Sequence, residues 1–150
     1  MINYVCVDIP KKNLKIIGRK IVLRLIEQHR ILSKYQVLNK YLYLTSTENI
    51  SDDIRNKYGL IEAELCDSNN KKIYNKIKHL IRNEKPNIRT FAISVERKGE
   101  HKFTSTELAK ELAGSVFDVF PKIKVNLGNP ELKINVKVLN NKCIIYTERK

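Results

Sequence analysis

The chain alternates between two hydrophobic periods. Ile2 to Ile9 is a short, β-branched apolar run closed by Pro10, which predicts a strand. From about Lys12 to Leu32 the period lengthens to that of a helix. At 100° per residue, Leu14, Ile17, Ile21, Val22, Leu25 and Leu32 share one arc. Lys12, Lys15, Arg19 and Arg30 lie opposite, and Lys20 and Arg24 also fall outside the core arc. Two extended runs follow between Tyr35 and Ser46, broken at Asn39-Lys40 as a hairpin would be. Ser51-Asp52-Asp53 offers an N-cap for a short helix through Ile54 and Tyr58, Gly59 suits its C′ position, and Leu60 to Leu65 is another strand.

This order, β-α-β-β-α-β, predicts a ferredoxin-like arrangement with two helices on one face of a four-stranded sheet. The polar, turn-forming cluster Asp67-Ser68-Asn69-Asn70 is the clearest boundary, giving expected domains over 1–67 and 68–150. Beyond it, Ile73, Ile77, Leu80 and Ile81 mark a helix, with Lys71, Lys72, Lys76 and Lys78 elsewhere around it and a break over Asn83 to Asn87 containing Pro86. Ile88 to Arg97 alternates as a half-buried strand through Phe91, Ile93 and Val95. Thr104 and Glu107 fit a capping box opening a helix whose stripe is Leu108, Leu112, Val116 and Val119, stopped by Pro121. Lys122 to Leu127 reads as a strand, Gly128-Asn129-Pro130 as a turn, and the runs around Ile134 to Val138 and Cys143 to Thr147 as a hairpin through Asn140-Asn141. The expected fold class is α+β.

Composition narrows the partners. The 150 residues carry a net charge of +13 and are 42% hydrophobic, so the chain can bury a core and still present a positive field that favours polyanions. A biased Lys-, Ile- and Asn-rich genome and a membrane surface are the competing explanations. No stretch is long and apolar enough to span a bilayer, and the cations are spread over several elements. The N-terminus is apolar first and charged after, the reverse of a secretory signal, so a cytoplasmic protein without membrane partners is expected. Cys6, Cys66 and Cys143 are far apart, and their expected role is that of buried small hydrophobes.

The residues show no catalytic pattern. The five glycines form neither G-x-G-x-x-G nor a Walker loop, the three histidines fall in different elements, and Asp52-Asp53 reads as cap chemistry. The expectation is a chain that is not an enzyme and needs no cofactor or metal. Four cationic places remain: the outer face of the first helix with Lys15 and Arg19, Lys71 to Lys78, the turn Arg97 to Lys102, and Lys122 with Lys124 before Asn129. In the turn, His101 is a surface residue, Phe103 either anchors the loop or stacks on a base, and Thr104 and Ser105 cap the helix or also hold a phosphate.

Residues 91–130 resemble the core of a THUMP domain, the RNA-binding module of tRNA-modifying enzymes. The likeness rests on FAISVERKG, then HKFTSTELAKELAGSVFDVFP, then VNLGNPELKINV. The preceding half is similar to the ferredoxin-like domain that accompanies THUMP in 4-thiouridine synthetases. The resemblance implies an α/β second domain and tRNA as partner, held by its acceptor stem. It implies RNA contacts at Arg97, Lys98, His101, Lys102, Thr104 and Ser105, with Asn129 a weaker candidate. Lys122, Lys124, Arg19 and Lys15 join them on charge. Such domains are usually fused to a catalytic one, whereas this sequence ends at Lys150 without one. It therefore reads as a recognition adaptor for a tRNA-modifying enzyme supplied in trans, with a fragment of such an enzyme or a ribosome-associated rRNA-binding protein as alternatives.

Overall fold

The computed structural model describes residues 1–7, 12–82 and 88–149. Its elements are β1 (Ile2–Cys6), α1 (Leu14–His29), β2 (Ser33–Leu38), β3 (Tyr41–Ser46), α2 (Asp52–Tyr58), β4 (Leu60–Asp67), α3 (Asn70–Ile81), β5 (Thr90–Lys98), α4 (Ser105–Val119), β6 (Lys124–Val125), β7 (Leu132–Leu139) and β8 (Lys142–Arg149). The expected strand end at Ile9-Pro10 and the break over Asn83 to Asn87 with Pro86 lie outside the described residues. Two compact units result, Met1–Ala63 and Glu64–Lys150. The fold class is α+β, as expected.

In the first unit the strands run β2-β3-β1-β4 with every pairing antiparallel, the order of a ferredoxin-like sheet. Leu14, Ile21 and Leu25 of α1 enter the core with Tyr4, Leu42 and Leu44. Gly18 lies among the buried positions of α1, and a Cβ there would stand 2.5 Å from the Tyr35 ring. Close approach of helix to sheet explains a residue that otherwise weakens a helix by about 1 kcal/mol. α1 is shorter than its periodicity predicts. Asn13 and Arg30 both take left-handed backbone angles, and beyond Arg30 the Ile31 N–H returns to the Leu25 carbonyl at 3.0 Å, which closes the helix. Ile31 thereby enters the core, while Leu32, expected on the helix stripe, is 59% exposed outside it. Ser51 occupies the N-cap of α2 with extended backbone but makes no side-chain cap bond; Gly59 closes the helix at φ 65°.

The second unit holds a sheet ordered β8-β7-β5-β6, with the last residues of β4 beside β8. β5 is parallel to both β6 and β7, and β7 pairs antiparallel with β8. Ile73, Ile77 and Ile81 of α3 and Leu108, Leu112 and Val116 of α4 are all fully buried against Ile134, Val136, Val138 and Ile145. Each such burial contributes about 1.5–3 kcal/mol relative to exposure. Asn69 caps α3 by accepting the Lys72 N–H at 3.1 Å, and Thr104 caps α4 by accepting the Glu107 N–H at 3.1 Å. Gly114 lets Tyr74 cross α4 closely enough to donate to Asp118 at 2.6 Å. β6 spans two residues instead of the expected Lys122 to Leu127. The Asn126 side chain accepts the N–H groups of Gly128 and Asn129 at 3.1 and 3.0 Å, and this turn carries the chain off the β5 edge.

Candidate nucleic-acid interface

The loop between β5 and α4 is built by a small set of contacts. β5 continues to Lys98, and Gly99 reverses the chain at φ 103°; a Cβ there would stand 2.4 Å from the Asn140 side chain. The Asn140 N–H donates to the Lys98 carbonyl at 2.8 Å, which seats the loop on the β7–β8 turn. His101 Nε2 donates to the Asn140 carbonyl at 2.9 Å, and its ring stacks on Phe103 with centroids 5.2 Å apart. Phe103 is half-buried and packs against the core of this unit, the anchoring role among its two expected ones. The Arg97 guanidinium donates to the Phe103 carbonyl at 2.8 Å.

The expected loop residues therefore divide by role. Arg97, His101 and Thr104 hold its shape, Lys98 and Lys102 are exposed cations, and Ser105 opens α4 half-buried. Glu100 is the one carboxylate between Arg97 and Ser105. Its local charge stays positive.

The remaining candidates lie elsewhere. Lys124 pairs with Thr90 at the opposite end of β5. At the usual rise of a strand it stands roughly 26 Å from Lys98. Lys122 belongs to that same end, and both are exposed. Asn129 is exposed and donates its N–H to the turn on Asn126. Lys15 and Arg19 are exposed on α1 in the first unit. The Lys71–Lys78 stretch is largely compensated: Lys72 pairs with Asp67 at 2.8 Å, Lys76 with Glu64 at 3.4 Å and Lys78 with Asp118 at 3.6 Å. Hydrogen bonds from Lys72 and Lys142 pull the Asp67 carboxyl down to about 2.

Sequence reasoning missed one neighbour pair. Cys66 and Cys143 lie on adjacent strands, and Cys66 is half-buried where full burial was expected of all three cysteines. The Cys143 thiol donates to the Ile144 carbonyl at 4.0 Å; its proximity to Cys66 lowers Cys66 and raises Cys143, and Lys76 lowers Cys66 further. Only the alternation of β4 and β8 held a signal for this contact, and that requires the sheet order. Among the described residues no three His, Cys, Asp or Glu side chains cluster as a metal site, and no helix is long and apolar enough to cross a membrane. The chemistry the loop can supply is electrostatic contact with phosphate, which positions a polyanion without reading its bases.

The THUMP domain family model matches residues 67–148. The tRNA sulfurtransferase of Tolumonas auensis is 37% identical over 59 residues, 39% of this chain and 12% of that protein. A probable tRNA sulfurtransferase of Mycoplasmopsis agalactiae is 27% identical over 111 residues, 71% of this chain and 29% of that protein. A 4-thiouridine synthetase solved with RNA and ATP shares the fold, with a TM-score of 0.76 at 19% identity over 99% of this chain and 41% of that one. The chain thus spans less than a third of the length of the two sulfurtransferases and less than half of the synthetase. Their names correct the expectation of a non-enzyme: tRNA sulfurtransferases are enzymes. The missing catalytic motifs do not set the chain apart from them, since the matched part is 12% to 29% of their length.

Proposed function

Since the chain belongs to the THUMP-domain family, we propose that it binds tRNA as the substrate-recognition part of a tRNA-thiolating enzyme. One observation carries the reading: the family match over 67–148 falls on the unit whose β5–α4 loop is rigidly built yet exposes Lys98 and Lys102. The tRNA is held by its acceptor stem. Phosphate and shape contacts fix the register of the RNA and carry little base information. The target nucleotide is thereby set at a fixed distance from the sulfur-transfer site, whose reacting groups lie outside the surface described above. Lys98 and Lys102 contact phosphate, with Arg97, His101, Thr104 and Ser105 shaping the loop around them. Lys122, Lys124 and Asn129 form a separate contact at the far end of β5, and Lys15 and Arg19 a third on α1. Our domain boundary stays at the Asp67–Asn70 cluster, as 1–67 and 68–150, while the compact units divide four residues earlier, between Ala63 and Glu64.

Fluorescence anisotropy with three labelled RNAs tests this: a tRNA transcript, its acceptor-stem minihelix, and an rRNA hairpin of equal length. The tRNA and minihelix are expected to bind alike and the rRNA hairpin about tenfold more weakly, a difference of about 1.4 kcal/mol. Equal binding of the rRNA hairpin would make this a general RNA-binding surface, and failure of the minihelix would remove the acceptor stem.

A further inference from the structure

β5 pairs with β7 along its length but with β6 only at Thr90 and Phe91. In a parallel sheet a residue turns both backbone groups to one neighbouring strand, and the next residue turns to the other. The carbonyls of Arg89 and Phe91 accept from Lys124 and Asn126 at 3.0 and 2.9 Å, so odd-numbered residues face the β6 side. Ile93 and Val95 consequently aim N–H and C=O at an edge where no described residue pairs with them. Unpaired strand edges are templates for another strand and are usually blunted by charge, bulges or cover.

Beside this edge lies a groove of about 460 Å³ whose walls include Ile93, Val95, Ala109, Ala113, Val125 and Leu127. Val125 and Leu127 are 53% and 80% exposed. Lys110 stands at its rim. By strand alternation, the opposite face presents Ala92, Ser94 and Glu96; Glu96 is paired with Lys137 at 3.2 Å and Lys133 stands opposite Glu148, which leaves exposed Lys124 of β6 as the cation beside the open edge.

We propose that the β5 edge takes an extended segment of a partner protein as an added strand. Apolar side chains at alternate positions enter the groove, and a carboxylate at an intervening position meets Lys124 at the end of the open edge. Strand addition satisfies the edge donors and acceptors together, and the groove selects the side chains. A phosphate chain presents acceptors only and leaves the two carbonyls without a donor.

The test uses the full chain, ¹⁵N-labelled, with a fluorescein-labelled peptide alternating isoleucine with glutamate. Bound peptide is expected to slow amide exchange at Ile93 and Val95 by about tenfold, while Ser94, already bonded to β7, stays unchanged. A peptide alternating isoleucine with lysine, and the groove-filling variant Ala109→Gln, should each weaken binding by about tenfold. Three results overturn the proposal. Protection of Ile93 and Val95 that rises with protein concentration alone assigns the edge to a second copy of the chain. Protection by a single-stranded oligonucleotide and not by the peptide assigns the groove to RNA. Equal binding of the two peptides removes the acidic partner.

Discussion

Replacing Lys98 and Lys102 together by alanine removes two cations from the β5–α4 loop and leaves the hydrogen bonds of Arg97, His101 and the Asn140 backbone in place. Both lysines are exposed, and the loop is shaped by Arg97, Gly99, His101, Phe103 and Asn140. If each lysine neutralises one phosphate, about two fewer counterions are released on binding, and the slope of log K against log salt becomes shallower by about 1.4–1.8. This contribution vanishes toward molar salt, so the slope also fixes the loss of affinity. It amounts to about 70- to 200-fold at about 0.05 M and about 15- to 30-fold at about 0.15 M. Anisotropy of labelled tRNA over a KCl series measures both lines, which should converge at high salt. Thermal melts of variant and parent should coincide. Two parallel lines would refute the reasoning, because a loss independent of salt is not counterion release. Unchanged affinity at low salt would take the loop out of the interface altogether.

Three further outcomes follow from the geometry. Gly59→Ala places a Cβ 2.3 Å from the Val7 carbonyl oxygen at φ 65°. The left-handed backbone alone costs about 1–2 kcal/mol, so urea unfolding should show a loss of about 2 kcal/mol or more; a loss under about 0.5 kcal/mol would mean the backbone relaxes freely. The Asp67 carboxyl is held at about 2 in the fold against an ordinary 3.8, so its pairing with Lys72 and Lys142 stabilises the fold above 3.8 and is lost as pH falls toward about 2. Asp67→Asn should flatten the melting temperature against pH across that window, and an unchanged profile would contradict the pairing. Under iodoacetamide, Cys66 should be alkylated in the native protein, whereas Cys6, pushed up to about 12 by burial, and Cys143 should react only in denaturant; mass spectrometry that found Cys143 labelled first would reverse the direction of the two shifts.

Element order was readable because burial imposes its period directly. Ile73, Ile77 and Ile81 recur at helical spacing and Ile134, Val136 and Val138 at strand spacing, since one face of each element meets the core. The Asn–Lys and Asn–Asn turns were readable for a related reason: Asn39 and Asn140 take the positive φ that asparagine tolerates. Element ends were not. Leu32 matched the helical stripe by identity, but Arg30 had already turned the chain and Ile31 filled the place Leu32 was expected to take. β6 kept its apolar composition and lost its length to the Asn126 turn; an Asn two residues before Gly128 was the available cue. Within the candidate site, cation positions were legible and their duties were not. Whether Arg97 faces solvent or the Phe103 carbonyl depends on how the loop folds back. Whether Lys72, Lys76 and Lys78 are compensated depends on carboxylates that the sheet and α4 bring beside them.

In the β5–α4 loop, form and charge are carried by different residues. Gly99, His101, Phe103 and Asn140 set the path of the chain, while Lys98 and Lys102 ride on it. A lysine there can be gained, lost or moved with little effect on folding, so the strength of anion binding can be retuned by surface substitutions that are individually near-neutral for stability. The shape of the loop tolerates far less drift, because altering Gly99 or Phe103 disturbs the β7–β8 turn and the core at once. Among homologous chains, this division predicts loops of constant trace and variable charge, with affinity for a polyanion diverging faster than the structure that presents it.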